Sequence, residues 1–134
     1  MKLALQRRTD LALAALRALA TAGGSLTGTA LARKVKTTVS FLPQVMSPLV
    51  QEGWVLSLRG PGGGYQLTEA AASVHLLDVV EATEGPVDNG RCVMREGPCP
   101  GQPACSVHEV WVLARQVLRQ GFAQIPVFLE GNSP

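Results

Sequence analysis

Three cysteines and a histidine occur as Cys92-x6-Cys99-x5-Cys105-x2-His108, and the chain has no other cysteine. Thiolate and imidazole are soft donors, so four of them in one window suit Zn2+ or an iron–sulfur cluster. A structural zinc knuckle uses a C-x2-4-C pair, and no two of these cysteines are that close. Wider spacing in a pliant loop is better suited to wrapping a cluster. An odd number of thiols also argues against a disulfide framework. His108 falls at the start of a helical stretch, where the helix dipole disfavours imidazolium and leaves a neutral ring able to bind metal. His75 has no partner pattern and reads as structural.

These residues need elements to hold them. From Gly85 to Ala104, eight of twenty residues are Gly or Pro, so the cysteine window is a loop. A long helix is predicted from Ser106, which forms an S-x-x-E capping box with Glu109. Val107, Val110, Trp111, Ala114, Val117 and Leu118 make a narrow apolar stripe along it, the pattern of a dimer seam. The tail, IPVFLEGNSP, carries no signal. The organisation read from these features is an N-terminal domain over 1–84, a cluster-binding loop over 85–104, and a dimerisation helix and tail over 105–134.

Upstream, the elements are short. Thr9 to Ala22 is rich in Ala and Leu, with Asp10 in its first turn and Gly23-Gly24 as a stop. A second helix fits 28–35, with Thr27 as N-cap and Leu31 and Val35 inward. In SFLPQVMSPLVQEG, Leu42, Val45, Met46, Leu49 and Val50 follow the spacing of a buried helical face. Ser40, Gln44, Ser47 and Gln51 occupy the opposite face, polar and nearly uncharged, which suits base edges. With Ser40 as N-cap, Pro43 lies harmlessly in the first turn, whereas interior Pro48 should remove one backbone bond and kink or interrupt the helix, which is nonetheless kept through it. Trp54, Leu56 and Leu58 alternate with Val55, Ser57 and Arg59 as in a half-buried strand. Gly60 to Gly64 must turn, and Tyr65 to Thr68 returns as a second strand. Residues 76–84 make a further helix. The Gly-rich turn lacks the G-K-[ST] of a nucleotide-binding loop. The fold class is therefore mainly α with a small β-hairpin: a winged helix-turn-helix followed by a long C-terminal helix.

Composition agrees with that class. Hydrophobic residues are 46% of the chain but aromatics only 4%, and a core of Leu, Val and Ala favours helix packing over a β-sandwich. The net charge of +2 conceals eight Lys/Arg against two acids in residues 1–67, and four Arg against eight acids afterwards. A basic N-terminal half points to a polyanion. In a winged helix, Ser40, Phe41, Gln44 and Ser47 would meet the major groove, with Gln44 suited to adenine. Arg59, Gly60, Gly62 and Gly63 would approach the backbone or minor groove from the wing, and Arg33, Lys34 and Lys36 would meet phosphates. No apolar run approaches a membrane span, the N-terminus does not read as a signal peptide, and the location read from this is cytoplasmic. With no nucleophile–base or carboxylate pair in view, an enzyme is not expected.

SFLPQVM, RGPGGGYQL and the three-cysteine window, in that order, resemble the IscR/NsrR family of bacterial winged-helix iron–sulfur transcriptional regulators, over residues 1 to about 122. The resemblance implies a homodimer joined through the long helix, a palindromic double-stranded operator, and DNA affinity set by a cluster that senses redox state, iron–sulfur status or nitric oxide. CSVHEVW is similar to the IscR pattern, in which Cys92, Cys99, Cys105 and His108 would hold [2Fe–2S]. RTDLAL is similar to the NsrR pattern, in which Asp10 would supply the fourth ligand of [4Fe–4S] across the dimer. Asp10 also reads as an ordinary first-turn acid, and [2Fe–2S] is the reading preferred. The alternatives are a cluster-free thiol sensor, in which His108 is idle, and a zinc-stabilised DNA-binding module.

Overall fold

The computed structural model describes residues 2–99 and 105–128; part of the expected cluster loop, 100–104, and the tail 129–134 lie outside the described residues. Helix α1 spans Arg7–Ala22 and stops where Gly23 turns left-handed at φ 68°, its N–H donating to the carbonyls of Leu19 and Ala20. Helix α2 spans Gly28–Val35, and the Thr27 hydroxyl caps it by accepting from the Ala30 N–H at 3.1 Å. Leu31, Ala32 and Val35 are its buried residues. The chain leaves α2 through Lys36, a non-glycine residue held at φ 61°.

Helix α3 spans Leu42–Gln51. Its entry differs from the expectation that Ser40 is the cap. The chain already coils at Val39, so Thr38 does the capping: its hydroxyl accepts from the Phe41 N–H at 3.1 Å and its carbonyl from the Leu42 N–H at 3.1 Å. Pro43 lies in the first turn, where its missing N–H costs nothing. Pro48 lies inside and is buried, yet the helix runs on to Gln51 uninterrupted. Burial of Leu42, Val45, Met46, Pro48 and Leu49 against the core outweighs the one lost backbone bond.

Strands β1 (Val55–Leu58) and β2 (Gly64–Leu67) pair antiparallel, Val55 opposite Leu67 and Leu58 opposite Gly64. The inward face is not the one the alternation suggested. Val55 is buried, while Leu56 and Leu58 are exposed, because a hairpin of only two strands has one side against the helices. Leu26 bridges to Tyr65, the two exchanging N–H···O bonds of 2.9 and 2.8 Å. That approach brings the Leu26 carbonyl to 2.0 Å from where a Cβ on Gly64 would sit, so only glycine fits. A 3-10 turn, Glu69–Ser73, leads to α4, Leu76–Glu84. His75 precedes α4, its backbone N–H donating to Asp78 at 2.8 Å, the structural role expected of it.

The core gathers Leu11, Leu16, Leu19, Leu31, Leu42, Met46, Leu49, Val55 and Val79 between α1, α2, α3, β1 and α4. Buried hydroxyls lock α1 to α4: Thr9 and Thr83 lie 2.7 Å apart, and Thr83 donates to the Val79 carbonyl at 2.8 Å. Glu84 accepts from the Thr9 hydroxyl and, at 3.0 Å, from the Gln6 N–H. Helix α5 spans His108–Phe122 and buries none of its residues. After it, residues 125–128 return to the start of α4. Pro126 bridges to His75, Leu76 N–H donates to Ile125 at 2.7 Å, and Val127 N–H donates to Val74 at 3.0 Å. Val127 is core, although the tail gave no sign of it. No described helix is long and apolar enough to cross a membrane.

Candidate metal centre and nucleic-acid interface

The cysteine loop is built around a small closed turn. Arg91 and Pro98 form a bridge, and the Cys92 N–H donates to the Gly97 carbonyl at 2.8 Å. This brings Cys92 back beside Cys99. Cys105 arrives from the other side, immediately before α5. Its Sγ lies 3.8 Å from that of Cys92 and 3.6 Å from that of Cys99, and all three sulfurs fall within 4.8 Å of one another. The three thiols are free and half-buried. Three sulfurs converging without a disulfide are a soft, electron-rich donor set, which suits a thiophilic metal or an iron–sulfur cluster.

The thiols differ electrostatically. The Met94 N–H donates to the Cys92 Sγ at 3.4 Å, and this bond to the anion pulls the Cys92 thiol below its ordinary pKa. Loss of water contact pushes Cys105 above it, helped by hydrogen bonding with Cys99.

His108 stands outside the tight trio of sulfurs but lines the same cavity of about 170 Å3, as do Asp88, Trp111 and Arg115. It is the first residue of α5 rather than the second. The expected Ser106/Glu109 capping box does not form: Val107 is the N-cap, no side chain caps it, and the His108 N–H donates instead to the Cys105 carbonyl at 3.0 Å. Asp10 is exposed on the first turn of α1 and is not among the residues lining that cavity. Asp88 escaped the sequence reading. An acid four residues before Cys92 shows no metal-binding spacing, yet it lines the cavity.

The apolar stripe of α5 divides. Val107, Trp111 and Ala114 are half-buried, whereas Val110, Val117 and Leu118 are exposed. Leu113 joins the outer row, which runs Val110, Leu113, Val117 with side chains 67%, 61% and 60% exposed. A helix with no buried residue and such a row has its apolar surface in water.

On the basic half, Gln44 and Ser47 lie exposed on α3, opposite its buried row, with Ser40 exposed in the turn before it and Phe41 half-buried next to the helix start. Arg33, Lys34 and Lys36 are exposed at the end of α2. Arg59, Gly60 and Gly62 are exposed at the tip of the hairpin, with Gly63 half-buried. At Gly63 a Cβ would sit 2.3 Å from the Leu58 carbonyl, so this glycine closes the turn.

Three comparisons bear on what these surfaces do. A family model described as Rrf2, iron-dependent transcriptional regulator, matches residues 5–127. The chain is 42% identical over 74 residues to the HTH-type transcriptional regulator IscR of Photorhabdus laumondii, covering 55% of this chain and 44% of that protein. It is 40% identical over 74 residues to IscR of Escherichia coli K12, covering 55% and 45%. The aligned stretch is thus under half of those relatives' own length. Among solved structures, CymR (YrzC), the global cysteine regulator of B. subtilis, superposes with a TM-score of 0.72 at 23% identity over 94% of both chains. T. potens IscR does so with a TM-score of 0.69 at 20% identity, over 95% of this chain and 85% of that one. At those identities the likeness is one of fold.

Proposed function

The chain belongs to the Rrf2 family of iron-dependent transcriptional regulators, and on that premise we propose that it is a cytoplasmic, homodimeric DNA-binding regulator governed by an iron–sulfur cluster, and not an enzyme. The observation that carries the cluster reading is the convergence of Cys92, Cys99 and Cys105, whose sulfurs lie within 4.8 Å of one another. Cys92, Cys99 and Cys105 are the proposed ligands. His108 is the proposed fourth, supported by its position on the wall of the same cavity, and [2Fe–2S] is the proposed cluster. The alternative is [4Fe–4S] with Asp10 of the partner subunit, an arrangement compatible with the exposure of Asp10 on α1. When bound, such a cluster supplies a reversible redox couple and a target for oxidants and nitric oxide.

The protein's own residues convert that state into DNA affinity. Helix α3 enters the major groove, where the Gln44 amide pairs with adenine N6 and N7 while Ser40 and Ser47 contact base edges. Phe41 anchors the helix start. Arg33, Lys34 and Lys36 meet phosphates, and Arg59 reaches the backbone from a wing that Gly60, Gly62 and Gly63 allow close. The outer row of α5 pairs with the same row of a second copy. The cysteine loop joins α4 to α5, so a change at the thiols alters how α5, and with it the second DNA-binding domain, is held. A coupling of about 1–3 kcal/mol changes operator affinity roughly 5- to 150-fold.

A second reading has its own support. Cys99 and Cys105 sulfurs are 3.6 Å apart, close enough that a peroxide could oxidise the pair to a disulfide, with two electrons passing to the peroxide.

Anaerobic purification separates these readings. The expected protein is coloured and contains iron and sulfide. His108→Ala is expected to change its visible spectrum, whereas Asp10→Ala and Asp88→Ala leave it unaltered. Colourless protein without iron or sulfide, whose DNA affinity nonetheless responds to peroxide, would give the function to the thiols alone.

A further inference from the structure

The guanidinium of Arg115 has a position that neither metal ligation nor DNA contact uses. It projects from α5 onto the same cavity as His108 and Trp111, the three residues recurring at i, i+3 and i+7 along one helical face. Its Nη2 donates to the backbone carbonyl of Arg91 at 2.9 Å. That carbonyl belongs to the residue before Cys92. Arg91 also bridges Pro98, the residue before Cys99, and the Cys92 N–H closes the turn on Gly97. One side chain of α5 therefore grips the turn that carries two of the three cysteines. The third, Cys105, is tied to the start of α5 by the His108 N–H.

We propose that Arg115 is a positioning residue, a clasp that docks the 91–98 turn on α5 and so brings Cys92 and Cys99 up to Cys105 before any metal binds. The inference rests on the reading of the three cysteines as a metal site, and concerns how that site is preformed. The chemistry fits the residue type. A guanidinium presents several donors in a rigid plane and stays charged, so it holds a carbonyl without depending on pH. It cannot itself be a ligand. Among the described residues it makes the one hydrogen bond between the turn and α5, so without it binding must first order a Gly/Pro-rich segment.

The test uses Co2+ alone as the probe, titrated into reduced, metal-free protein. Arg115→Ala is expected to weaken Co2+ binding about 10- to 100-fold, the usual scale for removing a residue that orients a ligand. The thiolate-to-cobalt absorption at saturation stays as in the parent protein, because the ligand set is intact. Arg115→Lys, which keeps one charged donor, recovers part of the affinity. Hydrogen exchange on the metal-free protein provides the second readout. The Cys92 amide exchanges faster in Arg115→Ala, while amides of α2 and α3 are unchanged, which also shows that the domain is folded. Unaltered Co2+ affinity, or an unaltered Cys92 amide, overturns the proposal. If both change as expected but the parent protein, purified anaerobically, holds no iron and sulfide, the clasp stands and the cluster reading falls.

Discussion

Cys92 and Cys105 face each other across 3.8 Å yet differ as acids. The backbone N–H of Met94 favours the Cys92 thiolate, and desolvation disfavours that of Cys105. Only the thiolate is nucleophilic. In metal-free protein at neutral pH, iodoacetamide is therefore expected to label Cys92 before Cys105. The sign follows from the directions: a lowered pKa leaves more anion at a given pH, so the gap narrows as pH rises above both values. Peptide mapping against time checks it, and Cys105 reacting first would contradict it. Lys36 is a second residue with a conflict. Its left-handed backbone, φ 61°, costs a non-glycine residue about 1–2 kcal/mol, yet its exposed cation is one of the proposed phosphate contacts. Lys36→Gly is expected to raise unfolding free energy by up to about 1 kcal/mol in denaturant titration while weakening DNA binding. The sequence exposed the cysteines, through their spacing, and the recognition residues, through their helical period. It hid Asp88, which has no ligand spacing, and Arg115, whose bond to the Arg91 carbonyl joins residues 24 apart.

Among the elements, α2 and α4 match their predicted bounds, Gly28–Val35 and Leu76–Glu84, since each begins on a local start signal and ends at a left-handed or glycine residue. Predictions failed where tertiary contacts decide the outcome. Leu56 and Leu58 face outward because Val55 takes the one inward place that a two-stranded wing offers. Helix α5 begins one residue later than a Ser106 cap would start it, pinned by the Cys105 carbonyl. Its outer row is the element whose role is most readily tested. Val110→Glu combined with Val117→Glu is expected to turn a dimer into a monomer in analytical ultracentrifugation, since paired helices cannot bury these charges. The far-UV dichroism of the helices stays unchanged.

At the scale of the molecule, the basic half and the cysteine half carry opposite charge, and the exposed cations of the basic half include those at the end of α2 and at the wing tip. Four of them per protomer, Arg33, Lys34, Lys36 and Arg59, amount to eight phosphate contacts for a dimer. Operator affinity is then expected to fall with salt at a log–log slope of about −7, and about half that for the monomeric α5 variant. Fluorescence anisotropy across a salt series measures both, and a slope near zero would remove DNA from the account. The division into halves was visible in the sequence, but the return of residues 125–128 was not: a four-residue extended pairing in the tail leaves no period to read. That return has a mechanical consequence. Helix α5 is moored at its far end, where Val127 enters the core and Pro126 meets His75, and its near end rides on the thiols. It is a lever with a fixed fulcrum. Fifteen residues give an arm of about 22 Å, so a swing of about 5° moves the cysteine end by about 2 Å. In the proposed regulator, small rearrangements at sulfur would swing the outer row about the end that Val127 holds in the core.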